Sequence, residues 1–156
     1  MPDLRWDQVS EFFDPDLMGS LPDLFIPDAT VHGWQTLLDL VTMSGWQWRF
    51  VVETEEQPLQ AAASIFARGT EAEIVELRVW PVPGVLAIFR FWSETEISFD
   101  VDLRELQGQQ GADTLCAFLR AIGSRLGKPV LMTPEGGGRE RAVLGYDPDL
   151  DKVTLR

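Results

Sequence analysis

Three consecutive segments, 73–80, 86–92 and 96–102, alternate apolar and polar side chains, with only Pro81-Val82-Pro83-Gly84 and Ser93-Glu94-Thr95 as spacers. A period of two sends successive side chains to opposite faces, and spacers this short join antiparallel neighbours. The centre of the chain is therefore predicted to be a three-stranded meander. Its register puts Val75, Leu77, Val79, Ala87, Phe89, Phe91, Ile97, Phe99 and Val101 on one face, which should meet the core. The opposite face carries Ile74, Glu76, Arg78, Trp80, Ile88, Arg90, Trp92, Ser98, Asp100 and Asp102. A sheet with one apolar face needs a layer to cover it.

Two amphipathic helices supply that layer. Thr30 can cap a helix whose stripe is Trp34, Leu37, Leu38 and Val41 and which Gly45 ends. A second runs over 112–126 on Leu115, Phe118, Leu119, Ile122 and Leu126, with Asp113 at its start, Arg120 and Arg125 toward its end, and Gly127 as its stop. A short helix is predicted over 3–13, ended by Asp14-Pro15. Gly19, Pro22 and Pro27 make 16–29 read as a loop with at most a brief extended piece at Leu24–Ile26. Residues 46–53 read as a strand and 54–58 as a turn, while 59–68 fits a helix by its alanines or a strand at 65–67. Residues 103–110 read as a polar connection, 130–132 as a strand, 134–141 as a mobile Gly-rich loop, and 142–146 with 153–155 as a closing hairpin. The expected architecture is α+β, one domain over 1–156. Its mainly antiparallel sheet has about six strands around the central meander, with the helices packed on one face.

Composition narrows the function classes. The 156 residues carry 25 acids against 13 bases, a formal charge of −12. Such a field repels nucleic acid and anionic membrane, so neither is expected as a partner. Cys116 is the only cysteine, which excludes an intrachain disulfide and the two-cysteine zinc spacings. Met1–Gln8 lacks the basic region and apolar run of a signal peptide, and no window approaches the ~18–20 apolar residues of a membrane helix. A cytoplasmic location is expected. Lys128 and Lys152 are the only lysines, an arginine bias that points to a GC-rich, bacterial genome. The charge is uneven: residues 1–58 hold eleven acids and only two bases, Arg5 and Arg49.

Few residues offer chemistry. His32 falls beside Thr36 and Asp39, opposite the apolar stripe of its helix, and has no serine or cysteine partner in view. Cys116 borders a buried stripe and reads as a small core residue. Asp147-Pro-Asp-Leu-Asp151 begins like a calcium loop, but Lys152 stands where the tight turn needs glycine. Gly136-Gly137-Gly138-Arg139 precedes a strand, not a helix, so it reads as a flexible hairpin tip and not a phosphate cradle. No cofactor or metal is expected. No convincing catalytic set occurs, and an enzyme working through Asp100, Asp102 or Glu105 is not the expected reading.

Two binding readings remain. The acids of the first third, interleaved with aromatics, suggest a surface for a basic protein, as in an immunity or antitoxin-like factor. Asp14, Asp16, Glu55 and Glu56 are its candidate contacts. The alternative is a small-molecule or peptide site on the outer face of the meander, at Arg78, Trp80, Arg90, Trp92, Asp100 and Asp102. Tryptophan and arginine are the residues enriched at binding hot spots. Cross-strand ion pairs such as Glu76 to Arg90 would explain much of that face without a ligand.

Overall fold

A computed structural model describes residues 2–68 and 73–156. The central alternation folds as expected. Strands β4 (Val75–Val82), β5 (Val85–Arg90) and β6 (Ile97–Val101) pair antiparallel, with Leu77 opposite Phe89 and Phe89 opposite Phe99. Leu77, Val79, Ala87, Phe89, Ile97, Phe99 and Val101 are all buried. Phe91, just past β5, is half-buried on the same side and stacks on Trp34 with ring centroids 4.6 Å apart.

The sheet is wider than the sequence suggests. Among the described residues it has nine strands, all neighbours antiparallel, in the order β3-β2-β4-β5-β6-β1-β7-β8-β9. On one side of the meander lie β2 (Gln47–Val52) and the two-residue edge strand β3 (Glu55–Glu56), which occupies the predicted turn. On the other side comes β1 (Asp23–Ile26), then β7 (Val130–Thr133), β8 (Leu144–Asp147) and β9 (Lys152–Leu155). The expectation of about six strands falls short mainly at β3 and β1. Four residues between Pro22 and Pro27 carry no periodic signal long enough to mark a strand, yet they pair with β6 on one side and β7 on the other. Leu24 and Ile26 join the core, and Phe25 faces the opposite way.

Helices α3 (Val31–Met43) and α5 (Gly108–Leu126) cover the apolar face. The Thr30 hydroxyl accepts the Gly33 N–H at 2.9 Å, capping α3, whose Trp34, Leu37, Leu38 and Val41 are buried. In α5 the buried stripe includes Leu115, Phe118, Leu119 and Ile122, and the Phe118 ring meets Phe89 and Phe99 edge-on. Helix α5 begins four residues before the predicted start, because Gly108 takes φ +77 and Gly111 lets the first turn lie on the Leu106 carbonyl. The ambiguous 59–68 segment contains the short helix α4 (Ala62–Phe66).

The N-terminal segment is not one helix. It is α1 (Trp6–Val9), a 3₁₀ turn over Ser10–Phe13, and α2 (Pro15–Met18), with Asp14 capping the last by accepting the Asp16 N–H at 2.9 Å. Glutamines at the start of α5, its N-cap Gln107 and Gln109 of its first turn, hold this segment in place. The Gln109 amide spans the Trp6 N–H and the Leu4 carbonyl, and Gln107 donates to the Phe13 carbonyl at 2.8 Å. The Gly-rich connection between β7 and β8, predicted to be free, is anchored. The Glu135 N–H donates to the Met18 carbonyl at 2.7 Å, and the Glu135 carboxylate accepts the Leu21 N–H. Among the described residues, no helix is long and apolar enough to cross a membrane.

Helix α5 and strand β8 approach closely at Gly123, where a Cβ would run into the Tyr146 ring and crowd the Lys128 carbonyl. Gly123→Ala should therefore lower stability by about 1–2 kcal/mol, overpacking outweighing the gain of about 1 kcal/mol in helix propensity. Urea denaturation checks this through a lower midpoint at unchanged slope.

Candidate functional site

The unpaired face of the sheet collects the residues of the second binding reading, and one arginine organises it. Glu76 stands directly across β4–β5 from Arg90. The Arg90 guanidinium donates to Glu76 Oε2 at 2.7 Å and to Asp100 Oδ2 at 3.0 Å, and Arg78 Nη2 reaches Glu76 Oε1 at 3.0 Å. The result is a chain, Arg78–Glu76–Arg90–Asp100, across three strands, which is the cross-strand pairing expected from the register. The Glu76 and Asp100 side chains are only 14% and 17% exposed, so these charges are partly desolvated. Burial raises the Asp100 carboxyl above its ordinary range; Arg90 opposes the rise, and the nearby Asp23 and Glu76 add to it.

The tryptophans flank this chain. The Arg90 guanidinium lies 5.8 Å from the ring of Trp92, which is 73% exposed. Trp80 is half-buried and pairs in the same way with Arg49, also at 5.8 Å. Asp102 does not join them. It caps the 3₁₀ turn Leu103–Glu105 by accepting the Arg104 N–H at 2.9 Å, and the Arg104 side chain holds its carboxyl below the ordinary range. Glu105 accepts the Leu86 N–H at 3.0 Å. Each carboxylate considered for acid–base work thus has a partner within the fold.

A pocket of about 120 Å³ opens beside Asp100, between Asp23, Arg90, Trp92 and Arg139. Arg139 comes from the Gly-rich connection, stacks on Phe25 at 4.4 Å and is ion-paired with Glu96. Sequence reasoning missed both Arg139 and Asp23 here, because β1 was read as a loop.

The acids of the first reading fall in two places. Asp14 and the exposed Asp16 lie on α2, which is anchored at the ends of β6 and β7 through the Leu103 N–H to Ser20 and the Glu135 N–H to Met18. Glu55 and Glu56 are exposed on β3, five strand positions from β1, a distance of about 24 Å at the usual strand spacing. The two pairs do not form one patch, which corrects the idea that acids close in sequence share a surface. Between α1, the 3₁₀ turn and α2, Trp6, Glu11, Asp14 and Leu17 line an open cleft, and Leu17 is 66% exposed. Of the eleven acids in residues 1–58, only Asp3 and Asp7 lie in an ion pair among the described residues.

Other features have structural partners. His32 is exposed on α3, and Cys116 is buried, with its thiol pushed up to about 12 chiefly by that burial. Asp147–Asp151 forms the β8–β9 turn, with the Asp147 carboxylate accepting the Asp149 N–H and the Asp151 carboxylate accepting the Tyr146 hydroxyl. Among the described residues, no three His, Cys, Asp or Glu side chains converge as metal ligands. An apolar groove of about 620 Å³ runs between α5 and the β4–β5 hairpin, past Trp46, Val82, Ala117 and Phe118. Its sequence signal is the row of small residues on α5 beside the buried stripe. No known protein family matches this chain, and no curated protein or solved structure matches it either.

Arg90 is the shared counter-ion for two partly buried carboxylates. Arg90→Ala should cost about 2 kcal/mol near pH 7, the scale for breaking charged hydrogen bonds and leaving their partners unpaired. The sign with pH follows from Asp100. Without Arg90 its folded carboxyl binds a proton more tightly than the unfolded one, so the variant loses stability as pH rises through the carboxylate range and upward. Urea titrations of both proteins at pH 4 and pH 7 should show the smaller difference at pH 4.

Proposed function

We propose that this chain is a protein-binding domain that engages a basic partner through its acidic N-terminal surface, as an immunity or antitoxin-like factor would occlude its target. The observation that carries the reading is the cleft between α1 and α2. Glu11 and Asp14 line it with the exposed Leu17 and the half-buried Trp6, the exposed Asp16 is next to Leu17 in the chain, and none of the three acids has an ion-pair partner among the described residues. Carboxylates without internal cations keep their field for an incoming charge, and an apolar side chain among them adds burial on contact. Glu55 and Glu56 at the sheet edge strengthen the long-range attraction from a separate position. Charge of this kind acts mainly on the rate of association and makes it salt-dependent. A cytoplasmic, bacterial setting belongs to the same proposal.

The test uses the full chain as bait in extract of its native host, followed by kinetics with the basic protein recovered. Asp14→Lys with Asp16→Lys should slow association at least about tenfold and flatten its salt dependence, because it reverses charges at the contact. Glu55→Lys with Glu56→Lys should slow association less and leave dissociation unchanged. Recovery of the same proteins by wild type and by the Asp14/Asp16 variant, at equal rates and at all salt concentrations, would overturn the reading.

A further inference from the structure

The apolar groove between α5 and the β4–β5 hairpin lies open to solvent. The buried Phe118 and the half-buried Trp46 line it, with ring centroids 5.1 Å apart. Ala117 and Ala121, one turn apart on α5, form one side, and Pro81 with the exposed Val82 forms the other. Apolar surface gathered in a concavity of about 620 Å³ is surface that a partner can bury.

The surroundings select the form of the occupant. An extended peptide gains affinity by pairing with a free strand edge. Strands β4 and β5 are interior, each paired on both sides, so the groove offers no such edge. A small molecule is normally enclosed over most of its surface, whereas this groove stays open along α5. A helix fits. From Gln110 to Ala121, α5 lines the groove over about 16 Å, or three turns. The short side chains of Ala117 and Ala121 let a second helix come to the near end of the usual interaxial range, about 8–10 Å.

Charge sets the direction of that helix. Asp113 lines one end of the groove, and Arg125 lies one turn beyond Ala121 toward the other, about 18 Å away along α5. Both are exposed, and neither lies in an ion pair among the described residues. The helix dipole favours acids in a first turn and Lys or Arg in a last turn. A helix with that polarity complements Asp113 and Arg125 together only when it runs antiparallel to α5. Its basic end then points toward the acidic cleft, because Gln107, which lines the cleft, is three residues before Gln110, which lines the groove.

The geometry points to this groove as the docking site for an amphipathic helix of the basic partner, about three turns long and antiparallel to α5. Its apolar stripe lies on Trp46, Val82 and Phe118, its acidic first turn at Arg125 and its basic last turn at Asp113. The inference rests on the basic partner proposed above and adds where that partner's apolar contact falls. The acids of the cleft attract, and the groove holds. Charge acts mainly on association, and burial in the groove acts mainly on dissociation.

Fluorescence anisotropy of a labelled synthetic peptide with the full chain tests this. The probe is a helix of about 16 residues with leucines at i, i+3, i+4 and i+7, glutamates in its first turn and lysines in its last. A control peptide has the two charged turns exchanged. The probe should bind with a micromolar Kd, and the control at least about fivefold more weakly. Asp113→Arg with Arg125→Asp should reverse that preference. Ala117→Gln with Val82→Gln leaves the net charge unchanged and should weaken the probe at least about tenfold. Circular dichroism confirms the fold of each variant. With the basic protein recovered from the host, the same glutamine pair should speed dissociation at least about tenfold and leave association unchanged. Absence of probe binding, equal binding of the two peptides, or a chain dimer that the glutamine pair disrupts would overturn the proposal. Dissociation of the host partner unmoved by the glutamine pair, with association still slowed by Asp14→Lys and Asp16→Lys, would overturn the groove alone and leave the basic-partner reading in place.

Discussion

Everything in this structure follows from burying one face of an antiparallel sheet under two helices, while the other face stays partly open over the meander and is covered only at β1 and β7, where Arg139 lies over the buried Phe25. The period-two pattern of β4, β5 and β6 commits eight buried side chains to the core face, from Leu77 to Val101. At roughly 1.5–3 kcal/mol for each fully buried large apolar side chain, that face cannot be left in water. Helices α3 and α5 answer it. Trp34 stacks on Phe91, and Phe118 meets the stacked rings of Phe89 and Phe99 edge-on. The rest of the sheet extends this plan, because Phe50 and Val52 of β2, Leu24 and Ile26 of β1, and Met132 and Leu144 of β7 and β8 face the same way.

The same constraint explains where charge can go. On the outer face of the meander Glu76, Arg78, Arg90 and Asp100 are half-exposed, so charge is tolerated there, but each has its cross-strand neighbours fixed by register. Glu76 and Asp100 sit near one another because Arg90 is placed between them and pairs with both. Away from the sheet, charge is less constrained. Asp14 and Asp16 at α2 and Glu55 and Glu56 on β3 lie in no ion pair among the described residues, and the two arginines of residues 1–58 are engaged elsewhere, Arg5 with Asp7 and Arg49 with Trp80. The uneven charge of the sequence thus survives folding as unbalanced surface, in two places and not one.

What could be read from the chain is what local pattern encodes. Helix α3 was legible from Thr30 through Met43, because cap, stripe and following glycine agree. The meander and its Glu76–Arg90 pair followed from alternation and loop length alone. Strand β1 was not legible: four residues between prolines have no period, and its partners in β6 and β7 are far along the chain. Asp23 and Arg139 were lost with it, since both enter the outer face only through β1 and the connection beside it. The split of the acids was hidden for a similar reason. Sequence proximity places Asp16 and Glu55 in one third of the chain, whereas the strand order sets five positions between their neighbourhoods.

Strand β5 allows the central constraint to be tested on adjacent residues. Phe89 is fully buried under Phe118, and Ile88, one residue earlier, is half-exposed on the outer face. The decisive measurement is urea unfolding of Phe89→Ala and Ile88→Ala at low protein concentration. One-sided burial predicts a loss of about 3–5 kcal/mol for Phe89→Ala and about 1 kcal/mol or less for Ile88→Ala. Equal losses at the two positions would contradict a sheet whose core lies on one face only.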